Sequence, residues 1–199
     1  MSYLTADELA SFLRIQDSEE HPHLDQLISS AVEAVAAYCG QPFTAAASTA
    51  SAKVFAAESA SWVRTHPISS TTDLVVRTDT SADGTFDTTW DAVDYQLEPL
   101  NQDHAGLTDH PFNLIRAARS RYFPVDRRAR VQVTARWGWS TVPTSVRDAT
   151  LMHAARLHER RNAPAGVVAG DGFIGRMSLG IDPDVATLLY PFVRADKWT

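Results

Sequence analysis

Hydrophobic and polar positions recur on two different periods along this chain, and the switch between them divides it. Leu24, Leu27, Ile28, Ala31, Val32, Val35, Tyr38 and Cys39 fall within one arc of a helical wheel, with Asp25, Gln26, Ser29, Ser30 and Glu33 opposite. This 3.6-residue spacing predicts an amphipathic helix, closed by Gly40 where a left-handed C-cap belongs. Upstream, "LTADELASFLRI" supplies Thr5 as an N-cap, Glu8 as the other half of a capping box, and Leu4 with Leu9 as a hydrophobic staple. A short helix from Ala6 to about Arg14 is expected, and "DSEEHPHLDQ" reads as a charged turn between the two helices.

From about Gln41 the period shortens towards two. After the low-complexity "TAAASTASA" come short runs rich in β-branched and aromatic residues: "KVFAA", "SWVRT", "DLVVRTD", "TFDTTW", "DYQLEPL", "FNLIRAA" and "RVQVTARW". "ADGT" is the clearest hairpin turn, because Asp-Gly supports positive φ. In the last run Val131, Val133, Ala135 and Trp137 alternate with Gln132, Thr134 and Arg136, as in a strand covered on one side. Trp137 and Trp139 share a face if that strand runs on, and Pro143 stops it. They suit either core plugs or an anchor for another subunit.

After Pro143 the pattern is helical again. "TSVRDATLMHAARLHERRN" contains a capping-box pattern, Ser145 to Asp148, and no breaker before Pro164. Its apolar residues, Val146, Ala149, Leu151, Met152, Ala154, Ala155 and Leu157, spread around nearly the whole circumference, which implies contacts on more than one side. "APAGVVAGDGFIGRMSLG" reads as a glycine-rich connector, and Asp182 caps a last short helix, "PDVATLLYPF", with Pro183 at its first position. The expected class is therefore α+β: four helices from both chain ends, residues 1–42 and 140–199, around an inserted antiparallel β-rich domain, residues 43–139.

Of the 199 residues, 44% are hydrophobic and 21% charged, enough for one sizeable core or two small ones. No run approaches the ~20 apolar residues of a membrane span, and "MSYLTADELASFL" lacks the zones of a signal peptide. The expected setting is the cytoplasm or a particle assembled there. A single cysteine, Cys39, excludes an internal disulfide and a cysteine-based zinc cage, and reads as a small buried hydrophobe. Charge is segregated: residues 1–111 hold 17 acidic and 4 basic side chains, residues 112–199 hold 7 acidic and 14 basic. Such a split suits intrachain pairing or head-to-tail stacking of copies, and argues against a generic nucleic-acid binder.

Catalytic and metal-binding patterns are weak. His153 and His158 are five apart and diverge on a helix, and "HPH" at His21 to His23 has no nearby acidic triad. "DTSADGTF" resembles the front of a calcium loop through Asp79, Ser81, Asp83 and Gly84, but Trp90 stands where a bidentate glutamate is required. There is no nucleophile elbow and no phosphate-cradling loop. Neither an enzyme, a metal site nor a cofactor is expected. "RAARSRYFPVDRRAR", basic with Tyr122 and Phe123 interleaved, suits phosphates or an acidic partner surface, or a solvated loop answering the acidic half.

The ordered set of "LTADELASFLRI", "LDQLISSAVEAVAAYCGQPF", "VTARWGWSTVPTSVRDATLMHAARLHERRNAP" and "GVV…MSLGIDPDVATLLYPF" resembles the head-to-tail connector, or adaptor, proteins of long-tailed bacteriophages. The similarity covers both helical ends, about half the chain. It implies a non-enzymatic virion protein that forms a ring, usually of twelve, beneath the portal, prolonging the DNA channel and docking the next neck or tail component. The expected locations are the virion neck and, during assembly, the host cytoplasm. Close alternatives are a tail-completion or stopper component; a small hydrolase with an acidic site in the β insert is the rival from another class.

A ring needs two different adhesive sides on each subunit. The resemblance therefore makes Trp137, Trp139, Met152, Arg156, Arg160 and Arg161 subunit-interface candidates. It makes Tyr190, Phe192, Arg194 and Trp198, in the C-terminal part, portal-contact candidates, with Tyr190 equally suited to closing the monomer core. DNA passes such a lumen without being read, so Asp79, Asp83 and Asp87 are expected to face the channel or solvent and repel the backbone.

Overall fold

In the computed structural model, the described residues are 3–16, 21–103, 109–125, 130–162, 167–170, 173–176 and 181–194. Two compact units emerge, Met1–Thr44 with Val142–Thr199, and Ala45–Thr141. The first is mainly helical, the second a sheet, and the class is α+β.

In the helical unit, α1 (Ala6–Leu13) opens with the complete capping box: Glu8 N–H donates to Thr5 Oγ1 at 3.3 Å, and Thr5 N–H donates to Glu8 Oε2 at 2.8 Å. It closes on Arg14 at φ 58°, with Ile15 N–H returning to the Ala10 carbonyl. α2 (His21–Cys39) begins earlier than the charged turn predicted, because Pro22 in a first turn forfeits no intrahelical bond. Gly40 follows at φ 69°. α3 (Thr144–Asn162) holds Ser145 inside its first turn rather than at the cap; the Pro143 carbonyl accepts from Val146 N–H and Arg147 N–H and opens the helix instead. α4 (Pro183–Leu189) is capped by Asp182, and a 3₁₀ turn, Tyr190–Phe192, follows.

α3 has no single apolar stripe because it is wrapped by α1, α2 and α4. Leu4, Leu9, Ala10, Leu24, Ile28, Ala31, Ala154 and Ala155 form one core there. Ala154 and Ala155 bring α3 into that core, with Leu151 and Leu157 packed in part against it. No helix among the described residues is long and apolar enough to cross a membrane.

The second unit is a six-stranded antiparallel sheet: β1 (Ser51–Phe55), β2 (Trp62–Asp79), β3 (Thr88–Trp90), β4 (Tyr95–Glu98), β5 (Phe112–Ala117) and β6 (Arg130–Trp137). The order is β1-β6-β2-β5-β4, with β3 also on β2. "SWVRT" and "DLVVRTD", expected as separate strands, are the two halves of β2. Pro67 interrupts rather than ends it: the register against β5 shifts between Arg64 and Ile68, where the missing proline N–H spoils the ladder. Val63, Ile68, Val76, Ile115, Val131, Val133 and Ala135 fill the core of this sheet, with Trp90, Phe123 and Trp137.

In the segment expected to be a glycine-rich connector, β7 (Val167–Gly170) and β8 (Phe173–Arg176) form a two-stranded antiparallel hairpin.

Candidate assembly surfaces

β6 does not run on through the second tryptophan. Gly138, at φ 124°, turns the chain out of the strand and donates its N–H to the Pro67 carbonyl at 2.9 Å, so Trp137 and Trp139 do not share a face of one ladder. Trp137 donates Nε1–H to the Ser51 carbonyl at 2.8 Å and meets Phe55 and His66 with ring centroids 5.7 and 6.2 Å away. Lys53 lies over the same indole at 5.0 Å and contacts His66 Nδ1 at 2.8 Å, with desolvation lowering its pKa. Trp139 is 0% exposed and meets the His110 ring edge-on at 5.3 Å. Of these two candidates for a subunit interface, Trp137 belongs to the core of the sheet unit, and Trp139 is likewise buried.

The expected channel-facing carboxylates separate into two kinds. Asp79 is 1% exposed: it accepts from Gly84 N–H at 2.9 Å and so closes the turn after β2, instead of facing a lumen. Asp83 and Asp87 are exposed. The Thr85 N–H, 2.7 Å from Asp83 Oδ1, holds that carboxyl below its ordinary pKa. Among the described residues no three His, Cys, Asp or Glu side chains are grouped to hold a metal ion. Asp79, Asp83 and Asp94 accept from backbone amides, and Asp94 also pairs with Arg121.

That pairing also accounts for the segregated charge. Glu98 receives Arg116 Nε at 2.6 Å, Asp94 receives Arg121 Nε at 3.2 Å, and Asp73 receives an Arg136 nitrogen at 2.7 Å. In the helical unit Glu8 receives Arg147 at 2.6 Å. Each pair joins a carboxylate of the acidic half to an arginine of the basic half. Of the two outlets expected for that split, intrachain pairing uses these eight side chains.

On α3 the interface candidates are also engaged at home. Arg156 is half-buried and pairs with Asp182, the α4 cap, and with Asp184 at 3.8 Å. Met152 and Arg160 are half-buried. Buried His153 has its pKa lowered by desolvation and then by Arg160 and Arg156. The Arg161 side chain and Trp198 lie outside the described residues.

The C-terminal candidates divide similarly. Phe192 is 3% exposed and meets Phe43 edge-on at 6.0 Å, while its carbonyl accepts from Gln41 Nε2 at 2.6 Å. Arg194, half-buried, donates its N–H to the Cys39 carbonyl at 2.9 Å, satisfying an open carbonyl at the end of α2. Tyr190 alone of the three described candidates stands out, at 79% exposure.

Two features escaped sequence reasoning. Residues of α1 and α3, with Leu4, line an open groove of about 420 Å³: Leu4, Asp7, Glu8, Ser11, Arg147, Asp148 and Leu151. On the sheet unit, Tyr122 (70% exposed) and Val125 (59%) extend from the loop after β5 beside Arg119. The groove exists only once α1 packs on α3, and within the basic run nothing separates Arg119 from the paired Arg116 and Arg121.

No protein-family model matches the chain, and no curated protein sequence matches it. Solved structures match it in fold. A chain from the neck of an empty gene transfer agent (GTA) particle, computed with C6 symmetry, aligns with a TM-score of 0.57 at 18% identity, over 95% of this chain and 88% of that one. A chain from the virion of a native GTA particle aligns with a TM-score of 0.53 at 16% identity, over 93% and 88%. The likeness spans the helical unit and the sheet unit alike, so the whole architecture is one found in particle components.

Proposed function

We propose that this chain is a structural neck protein of a phage-like particle: a head-to-tail adaptor whose copies close a ring beneath the portal, extend the DNA channel and dock the next neck or tail protein. The observation that carries this reading is the fold likeness over 95% of the chain to a neck chain of a particle computed with C6 symmetry. A ring whose copy number is a multiple of six suits that symmetry, and the resemblance to connector proteins points to twelve. The carboxylates Asp79 and Asp94, bound to backbone amides, suit structural work better than acid–base chemistry. Exposed Asp83 and Asp87 suit a wall that repels passing DNA.

The test is assembly with and without the chain. Particles produced without it are expected to accumulate as filled or empty heads separate from tails, and adding the purified chain with portal protein is expected to yield rings visible by negative-stain imaging. Normal joined particles in its absence, or non-identical neighbours around it in the neck, would overturn the reading.

A further inference from the structure

We infer that the α1–α3 groove of one copy receives the Arg119–Tyr122 loop of the next. This rests on the ring reading and names the contact that would close it.

The loop is preformed. Arg121 N–H closes a turn on the Ala118 carbonyl at 3.2 Å, Ala118 N–H is held by the Asp94 carbonyl at 2.8 Å, and Phe123 N–H by the Ala60 carbonyl at 2.8 Å. Phe123 is stacked on Trp90 at 4.4 Å, and Arg121 is paired with Asp94. Between these fixed points Arg119 sits at φ 55°, a conformation that non-glycine residues keep only where the surroundings hold it. The result is a rigid projection with one cation, Arg119, and one large amphipathic ring, Tyr122, both in solvent. The loop backbone is already set, so only these two side chains must be ordered on binding, which lowers one cost of association.

The groove is its counterpart in size and charge. Its lining includes the apolar Leu4 and Leu151, and its volume of about 420 Å³ lies within the range that accepts a bulky group. Its charges are unequal: Glu8 is paired with Arg147, Asp7 stands 3.4 Å from His21, and exposed Asp148 has no ion-pair partner among the described residues. Arg119 likewise has none among them. An unpaired carboxylate in a groove with apolar lining matches an unpaired guanidinium beside an aromatic ring. Groove and loop are different surfaces of the same chain, so the contact is heterologous, the type that closes rings.

Self-association of the full chain, alone and with portal protein, is measured by mass photometry at low and high salt. Arg119→Glu and Asp148→Arg should each weaken ring formation about tenfold, and the two together should restore most of it. High salt should weaken the wild type. Ser11→Cys chains mixed with Ser120→Cys chains should be joined by a short bismaleimide, position 11 to position 120, while each variant alone should not; native Cys39 is buried and silent. Rings that form normally with either charge reversal, or no such cross-link within formed rings, would overturn the contact and leave the ring reading standing. A wild type that forms no ring with or without portal protein would overturn both.

Discussion

Arg147 ties α3 to the start of α1: its guanidinium lies 2.6 Å from Glu8 Oε1 and also donates to the Tyr3 carbonyl. Glu8 is therefore shared. Its Oε2 closes the capping box on Thr5, while Oε1 holds the neighbouring helix. One local signature thus doubles as a long-range clamp.

A double-mutant cycle measures that clamp. Both side chains are more than a third exposed, so solvent screens the pair. The coupling between Glu8→Ala and Arg147→Ala is expected at about 0.5–1 kcal/mol in urea denaturation. Arg147→Ala alone should cost more than this coupling, because the Tyr3 carbonyl also loses its donor.

The Glu8 carboxyl is held below its ordinary value of 4.5, first by the Thr5 backbone N–H and, after an opposing desolvation effect, by Arg147. A carboxylate with a depressed native pKa contributes stability above its unfolded value, and that contribution is lost as pH falls through the native one. The urea midpoint should fall between pH 5 and pH 3, and Glu8→Gln should flatten that slope. Thr5→Ala, which removes the side-chain half of the box, should cost about 1 kcal/mol at neutral pH.

His153 gives a second pH dependence in a higher window. Burial, then Arg160 and Arg156, lower its pKa from 6.5, so the native state favours the neutral ring. Its contribution is complete above about 6.5 and declines as pH falls towards the depressed native value, since the unfolded chain takes up the proton first. His153→Gln should remove this component from the thermal-midpoint profile between pH 7 and pH 5.

Trp139→Ala should destabilise by about 3–5 kcal/mol, the cost of emptying a fully buried aromatic site. Any loss of assembly should then track the unfolded fraction rather than appear in a folded protein. The neighbouring Gly138→Ala should cost about 1–3 kcal/mol, because φ 124° is strained for any residue with a side chain. Chemical denaturation followed by tryptophan fluorescence checks both.

The legible parts of this protein were those governed by near neighbours. Thr5 and Glu8 are three residues apart, Gly40 directly follows the α2 stripe, and Asp182 stands one residue before Pro183, so the bonds they make are set by local spacing. The alternation in β6 survives because its buried positions, Val131, Val133, Ala135 and Trp137, face one core. The runs "SWVRT" and "DLVVRTD" belong to one strand, and only the register shift against β5 shows how the sheet accommodates Pro67 between them. The β7–β8 hairpin, in a run rich in glycine, carried too little alternation to read as strands.

By itself, then, the sequence determined the α+β class, the caps at Thr5, Gly40 and Asp182, and the strongest strand, since each rests on periodicity and short-range hydrogen bonding. Tertiary structure alone decided where the tryptophans point, which arginine meets which carboxylate, and that α1 and α3 line a groove. Those outcomes depend on residues far apart along the chain, 139 positions in the case of Arg147 and Glu8, and no local pattern encodes a contact across such a distance.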